Sequence, residues 1–210
     1  MFSFCKAADT PSPEGLATHA LPWIMEAGNP YYNALFGDAG ATLSYLQKWV
    51  CRASSEVSIL RVEFLVSDST SDSEFAGGFI ALSGGDLRKA RRADGVALLT
   101  SIATQDRAAL AQRLNNLSDL MAPVGDDEYY LSKVGLAQQF RGKGLARKLV
   151  GRYIEEGARL GYSRYRLDVS ADNEAAVRCY RSAGFEIARS GQSQDGALKY
   201  YSMTYEGARS

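Results

Sequence analysis

The sequence contains few of the residues from which metal sites and nucleophilic triads are usually built. Its 210 residues include one histidine, His19, and three cysteines, Cys5, Cys51 and Cys179. The cysteines are odd in number and far apart, so they form neither a disulfide framework nor a CxxC motif. The histidine has no HExxH or GxSxG context around it. We therefore expect no metal site and a reducing compartment.

The chain also lacks a long apolar run. No stretch approaches the ~18 apolar residues that a membrane span requires. The first ten residues do not place a basic region before an apolar stretch, as a signal peptide would. These absences predict a cytoplasmic protein with no membrane partner.

The chain has no net charge, because 24 basic residues balance 24 acidic residues. This balance argues against a nucleic-acid partner, since nucleic-acid-binding domains are usually basic. The two signs are unevenly distributed, however. Residues 1–128 hold 10 basic and 16 acidic residues, whereas residues 129–210 hold 14 and 8. The second part is therefore where an anionic ligand is expected.

The length and a hydrophobic fraction of 46% predict a single domain over residues 1–210 with a sizeable core. Hydrophobic periodicity and turn signals predict strands over 2–8, 57–67, 75–83, 128–136, 164–170, 185–190 and 197–205. They predict helices over 13–28, 41–53, 143–160 and 173–183, and one or two inserted helices over 86–122. Strands separated by helices and followed by a closing hairpin indicate a mixed α/β fold of the α+β kind.

The segment from Val134 to Ala146 is the most informative part of the sequence. It joins a predicted strand to an amphipathic helix through the turn Arg141-Gly142-Lys143-Gly144. The N–H groups at a helix N-terminus and the positive end of the helix dipole bind anions. Glycines let the backbone approach a pyrophosphate closely, and the two basic side chains add positive charge. The segment therefore predicts a phosphate-binding turn.

The spacing of this turn distinguishes between known phosphate motifs. Ala137 and Gly144 violate the GxxxxGK[ST] pattern, and Arg147 violates GxGxxG. The pattern [QR]xxGx[GA] does fit, as Gln139 to Gly144. In this respect the segment resembles the acetyl-CoA-binding motif of the GNAT superfamily of N-acetyltransferases.

A second segment strengthens this resemblance. Residues 173–185 read N-x-x-A-x-x-x-Y-x-x-x-G-F, with Asn173 and Gly184 also suited to begin and end a helix. The two motifs together cover about residues 128–190. The resemblance implies the GNAT fold, a mostly antiparallel central sheet with helices on both faces and one splayed parallel strand pair. The splayed strands would end near Val134 and Val169, with Gly135 marking a bulge, and the insertion at 86–122 departs from the core family pattern.

The resemblance further implies acetyl-CoA as the acyl donor. Its pantetheine arm would lie between the splayed strands, and its pyrophosphate would meet the backbone N–H groups of residues 139–145. The residues expected to bind it are Val134, Gln139, Phe140, Arg141, Gly142, Lys143, Gly144, Leu145, Asn173 and Tyr180.

Tyr180 is the candidate general acid for the departing thiolate, again by resemblance. Two carboxylates are candidates for the general base. Asp168 lies on one of the splayed strands, and Glu128 lies six residues before Val134, which predicts the same strand face. A chain of water molecules is the remaining alternative.

The acceptor pocket is expected between the segment 29–36 and the last hairpin loop, residues 190–197. Tyr31, Tyr32 and Phe36 are candidates for an aromatic wall around a cationic or ring-bearing acceptor. The leading hypothesis is acetylation of the primary amine of a small molecule by a monomer or homodimer. Acetylation of a protein N-terminus or lysine is the alternative enzyme, and a non-catalytic acyl-CoA-binding module is the alternative from another class.

Overall fold

The computed structural model describes residues 1–67 and 74–207, which fold around one seven-stranded sheet with the order β1-β2-β3-β4-β5-β7-β6. The neighbouring strands β4 and β5 are parallel, and the other described pairs are antiparallel. The strands are β1 (Phe2–Lys6), β2 (Val62–Ser67), β3 (Glu74–Ser83), β4 (Glu128–Leu136), β5 (Arg164–Ser170), β6 (Glu186–Gln192) and β7 (Lys199–Glu206). The predicted mixed sheet with one parallel pair is confirmed.

Seven α-helices connect these strands within the described residues. They are α1 (Ala17–Gly28), α2 (Tyr31–Phe36), α3 (Ala39–Val50), α4 (Gly84–Ser101), α5 (Arg107–Asn116), α6 (Leu145–Arg159) and α7 (Glu174–Ser182). Among them, no helix has both the length and the apolar character needed to cross a membrane.

Most predicted elements lie within a few residues of their observed bounds. The inserted segment forms two helices, α4 and α5. The predicted second strand begins at Val62, because residues 59–61 form a 3₁₀ turn in which the Ser58 side chain accepts a hydrogen bond from the Leu60 N–H group. Residues 31–36, predicted as a connecting segment, form the short helix α2. The turn predicted between β2 and β3 falls at residues 68–73, outside the described residues.

Helices cover both faces of the sheet and divide the core in two. One cluster packs the first five helices, α1 through α5, against one face of the sheet, and it includes Trp23, Phe64 and Tyr130. The other joins α6 and α7 to the opposite face and includes Tyr153 and Tyr180. Successive side chains along a strand point alternately towards the two clusters, because successive Cβ atoms lie on opposite faces of the sheet.

Close packing fixes α6 against the sheet. A Cβ atom at Gly157 would lie 2.5 Å from the ring of Tyr165 and 2.7 Å from the ring of Tyr129. Tyr153, which is fully buried, donates a hydrogen bond through its hydroxyl to the Tyr129 carbonyl. These contacts hold the C-terminal half of α6 close to β4 and β5.

The parallel ladder between β4 and β5 is short. It pairs Glu128 with Arg164 at one end and stops at Leu131 and Leu167. The strands continue beyond that point, β4 to Leu136 and β5 to Ser170, without pairing to each other. The predicted splay of these strands is present.

The bulge in β4 lies at Ser132, and the prediction that Gly135 marks it is wrong. Ala81 of β3 pairs with Leu131, and Ile80 pairs with Lys133, so Ser132 is the extra residue. Gly135 pairs regularly and serves another purpose, because a Cβ atom there would lie 2.8 Å from Trp23 Cβ. Glycine at this position lets α1 pack directly on β4.

The bulge also reverses the alternation of side chains along β4. Before it, Leu131 belongs to the α6–α7 cluster and Tyr130 to the α1–α5 cluster. After it, Val134 packs against the α6–α7 cluster. Glu128 shares the face of Tyr130, so it lies on the opposite face from Val134, contrary to the prediction from their even spacing.

Candidate active site

A cleft of about 700 Å³ opens where β4 and β5 separate. Its walls come from four elements: Val134, Gly135 and Leu136 of β4, the first turn of α6, one side of α7, and Trp23 and Glu26 of α1. The two sequence motifs therefore meet in one place although they are separated along the chain. This convergence makes the cleft the candidate active site.

The glycine turn has the backbone conformation that the phosphate-binding prediction requires. Residues 138–140 form a 3₁₀ turn, after which Gly142 and Gly144 adopt φ angles of 74° and 75°. Gly144 is the N-cap of α6, and no protein atom lies within 4 Å of a Cβ built at either glycine. The first-turn N–H groups of a helix have no partner within the helix. Open space therefore lies beside donors that suit an anion.

The side chains of the same motif have different positions. Arg141, Gly142, Gly144 and Leu145 line the cleft. The remaining three do not: Gln139 donates to Glu74 at 2.8 Å, Phe140 is buried in the core, and Lys143 lies 5.4 Å from the Phe140 ring centroid.

Arg141 is held across the mouth of the cleft. Its guanidinium donates to the Leu136 carbonyl at 3.0 Å and forms an ion pair of 2.5 Å with Glu26 of α1. Both charged side chains line the cleft and remain about half exposed. Arg141 therefore presents a positive charge that a carboxylate partly neutralises.

Helix α7 carries the second motif into the cleft. The Asn173 side chain accepts a hydrogen bond of 3.1 Å from the Ala176 N–H group, which confirms it as the N-cap. Gly184 follows the helix with a φ angle of 92°, as a glycine that ends a helix often does. Asn173 and Tyr180 both line the cleft.

Tyr180 is buried but its hydroxyl is not used by the fold. The residue is 8% exposed, and its hydroxyl has no hydrogen-bond partner among residues 1–67 and 74–207. Burial raises the pKa of the phenol above its ordinary value of 10.0. A phenol that stays protonated at neutral pH and faces the cleft is able to donate a proton there.

A second cavity, of about 310 Å³, lies on the other side of β4 and is here called the distal pocket. Ala27 lines both cavities. Of the three residues predicted to form an aromatic wall, Tyr31 and Tyr32 line the distal pocket and Phe36 does not. The Phe36 ring instead stacks on Tyr45, with ring centroids 4.8 Å apart.

The last hairpin loop, residues 190–197, does not line the distal pocket, contrary to its predicted place in the acceptor site. It packs on the inserted segment instead. The Gln194 N–H group donates to the Asn116 carbonyl at 2.9 Å, and the Asn116 side chain donates to Asp195 at 2.9 Å. The inserted helices thus occupy the position that the loop was expected to hold.

Asp168 lies in the distal pocket on β5, one residue beyond the end of the parallel ladder. Its carboxylate accepts hydrogen bonds from the hydroxyls of Tyr130, at 3.0 Å, and Ser202. The structure therefore brings one of the two candidate bases close to the splay.

Glu128 is separated from both cavities. It lies at the start of β4, where it accepts a hydrogen bond of 2.6 Å from the Gly125 N–H group. Arg164 and Arg166 each approach its carboxylate at 3.7 Å. These contacts give it a part in holding the start of the ladder.

Sequence reasoning missed a charged group in the distal pocket. Glu56 accepts from Arg91 at 2.9 Å and from Ser132 at 2.6 Å, and Lys133 lies 3.8 Å away. Burial alone would raise the pKa of Glu56, but the charges of Arg91 and Lys133 and these hydrogen bonds lower it to about 2. Glu56, Arg91 and the adjacent pair Ser132 and Lys133 are distant along the chain and match no motif, so only the fold brings them together.

Comparison with known proteins agrees with this geometry. The sequence model of the acetyltransferase (GNAT) family matches residues 108–185, which include both motifs. No curated protein matches the chain significantly.

Solved structures share the fold across the whole chain. An N-acetyltransferase from Staphylococcus aureus Mu50 has a TM-score of 0.63 and 17% identity, over 97% of this chain and 99% of that one. The ribosomal-protein-S18-alanine N-acetyltransferase of Escherichia coli has a TM-score of 0.53 and 16% identity, over 100% and 96%. A chain of the NatC complex bound to Gag peptide and CoA has a TM-score of 0.53 and 12% identity, over 99% of each chain. The family match over residues 108–185 shows a GNAT acetyltransferase domain in this chain, which indicates an acyltransferase enzyme, and the solved structures share its fold.

Proposed function

We propose that this enzyme transfers an acetyl group from acetyl-CoA to the primary amine of a small molecule. The observation that carries the proposal is the cleft at the splay, on which the glycine turn, Asn173 and Tyr180 converge. The second reactant would occupy the distal pocket, which lies on the other side of β4. Ala27 lines both cavities.

The residues of the cleft fit the acyl donor. The N–H groups around Gly142 and Gly144 and the charge of Arg141 suit its pyrophosphate. Beyond Leu131 the edge of β4 that faces β5 is unpaired, so its backbone groups are available to the pantetheine amides. The donor supplies an activated acetyl thioester when bound. Its sulfur would lie near Tyr180.

Two side chains would move the protons of the reaction. Asp168 would accept a proton from the acceptor's ammonium group, so that the amine nitrogen is free to form a bond with the acetyl carbon. As the carbon–sulfur bond breaks, the Tyr180 hydroxyl would donate its proton to the thiolate. Tyr130 and Ser202 would hold Asp168 in place through their hydrogen bonds to its carboxylate. Glu128 has no part in this proposal, because it lines neither cavity.

The inserted segment supports a small acceptor. Residues of α4 and of the segment that follows α5 wall the distal pocket, among them Leu98, Leu117 and Met121. A cavity of about 310 Å³ lies at the lower end of the range for small-molecule pockets.

A protein N-terminus or lysine is the alternative acceptor. Two of the proteins that share the fold carry names that refer to a protein or peptide acceptor. At 16% and 12% identity, these two proteins support only the fold. We prefer a small acceptor because the inserted segment walls the distal pocket.

A thiol-release assay tests the proposal. Acetyl-CoA would be offered with a panel of small primary amines and, in parallel, with peptides that carry free N-termini and lysines. We expect CoA release with at least one small amine and with no peptide. Release with peptides alone would overturn the small-molecule acceptor, and the absence of release with every amine would overturn the proposed activity.

A further inference from the structure

The charged side chains of the distal pocket indicate what its occupant carries. Five such residues line it within the described ranges: Glu56, Arg91, Asp94, Lys133 and Asp168. Asp94 already has a cationic partner outside the pocket, because Arg52 lies 3.8 Å from one carboxylate oxygen, while the other accepts from Ser55 and from the Glu56 N–H group. The remaining four charges define the character of the pocket.

Two cations share one carboxylate at one end of this group. Among the residues that the structure describes, Arg91 and Lys133 form ion pairs only with Glu56, at 2.9 and 3.8 Å. The Ser132 hydroxyl donates a hydrogen bond to the same carboxylate. One carboxylate cannot neutralise two cations, so a positive charge is left over at this end.

A carboxylate that forms no ion pair among the described residues lies on the other side of the Tyr130 hydroxyl. Asp168 accepts hydrogen bonds only from the neutral hydroxyls of Tyr130 and Ser202, and no ion pair to it occurs among the described residues. The four charges of the pocket therefore balance in number, but the surplus positive charge and the unpaired negative charge lie at different places in it. A surplus charge that the protein leaves unpaired is best satisfied by an opposite charge on a ligand.

The distance between the two ends suits a compact zwitterion. The Arg91 guanidinium lies 3.3 Å from the Tyr130 phenolic oxygen, which in turn lies 3.0 Å from Asp168. A cationic and an anionic group of the protein thus flank a single phenol oxygen. An ammonium and a carboxylate on the same carbon atom present opposite charges at a comparable spacing.

The rest of the pocket wall is largely apolar. It includes a group of aliphatic and thioether side chains from the inserted segment: Leu98, Leu114, Leu117 and Met121. An apolar wall beside a zwitterion site suits an apolar side chain.

We infer that the acceptor is a free α-amino acid with an apolar side chain, its ammonium group at Asp168 and its carboxylate at Arg91. This inference rests on the proposed function and narrows it. A protein N-terminus lacks the carboxylate, because that carbonyl is part of a peptide bond. Arg91 is then the residue that determines specificity for the free amino acid.

The test compares three acceptors that differ only near the amine: leucine, leucinamide and 3-methylbutylamine. Thiol release from acetyl-CoA would be measured for each, and kcat/KM compared. We expect leucine to exceed the other two by about tenfold or more, the factor that 1.4 kcal/mol of charge-assisted binding gives. Equal or faster reaction of leucinamide or the amine would overturn this inference and leave the proposed function standing. No release with any amine would overturn both.

Substitutions in α4 test whether Arg91 causes the preference for leucine over leucinamide. Arg91→Gln is expected to remove the preference for leucine over leucinamide, while CoA still raises the Tm. Arg88→Gln is the matched control, because Arg88 lies on the same helix, pairs with Asp126 and does not line the pocket. A preference that survives Arg91→Gln would overturn the role of Arg91. If that variant fails to fold, the wild-type comparison of leucine with leucinamide decides alone.

Discussion

The hydroxyl of Tyr130 donates a hydrogen bond of 3.0 Å to Asp168 and thereby joins β4 to β5 at the point where their ladder ends. Tyr130 pairs with Arg166 inside the ladder, whereas Asp168 lies just beyond its last pair. The contact keeps a carboxylate at the apex of the splay, between the cleft and the distal pocket. In the proposed mechanism, this contact positions Asp168 next to the strands that would separate for the acyl donor.

Tyr180→Phe should retain CoA binding and lose acetyl transfer. Removing the phenolic proton donor is expected to lower kcat by about 10²- to 10⁴-fold, the usual contribution of a general acid. CoA-dependent stabilisation, measured as a shift in Tm, should be unchanged. A variant with near wild-type kcat would exclude Tyr180 as the acid.

The pH profile of the wild-type enzyme gives a separate test of Tyr180. Burial disfavours the charged phenolate, so it raises the pKa above the ordinary value of 10.0, and the proton-donating form persists to higher pH. We therefore expect kcat to show no decline assignable to this group below pH 10. An alkaline decline below that pH that disappears in Tyr180→Phe would contradict the assignment.

Gly142→Glu should abolish CoA binding. A side chain at a φ angle of 74° is strained, and the added carboxylate would lie in the space proposed for a pyrophosphate. Gly151→Glu is the matched control, because Gly151 lies on α6 beyond the glycine turn, has open space around its Cβ and does not line the cleft. Isothermal titration with CoA should find no binding for the first variant and normal binding for the second.

Glu26→Gln should strengthen CoA binding. It removes a negative charge from the cleft and releases Arg141 from its ion pair. Because both side chains are about half exposed, the gain should be modest, about two- to fivefold in Kd. A weaker affinity in this variant would contradict the proposed position of the phosphates.

Glu56→Gln should destabilise the protein in a pH-dependent way. The pKa of Glu56 is about 2 in the fold against an ordinary 4.5, so its ionised form stabilises the fold above pH 4.5, and this contribution is lost as the pH falls towards 2. The shift corresponds to at most about 3 kcal/mol at neutral pH. Urea unfolding of both proteins should show a difference at pH 7 that shrinks on acidification. A difference independent of pH would contradict the role of the charge.

Local sequence signals predicted much of the fold and part of the site. Each motif is a short continuous segment, so the sequence alone singles out Gly142, Gly144, Asn173 and Tyr180, and all four line the cleft. Their roles in catalysis stay predictions. The boundary of β2 was missed because Val57 and Ile59 are buried in the core without forming a strand.

Features that depend on long-range packing could not be predicted from local sequence signals. The even spacing of Glu128 and Val134 predicted a shared face, but the bulge at Ser132 adds a residue and reverses the alternation. Arg91 and Lys133 meet at Glu56 only after α4 folds over the sheet. No local pattern marks such a contact, because each residue alone resembles an ordinary surface charge.

The most direct test of the central claim is thermal unfolding of the wild-type protein with and without CoA. A ligand that binds only the folded state raises Tm in proportion to the logarithm of its concentration above Kd. We predict such a concentration-dependent rise for CoA, and its absence in Gly142→Glu. An unchanged Tm of the wild-type protein at millimolar CoA would contradict the assignment of the cleft between β4 and β5 as the acyl-donor site.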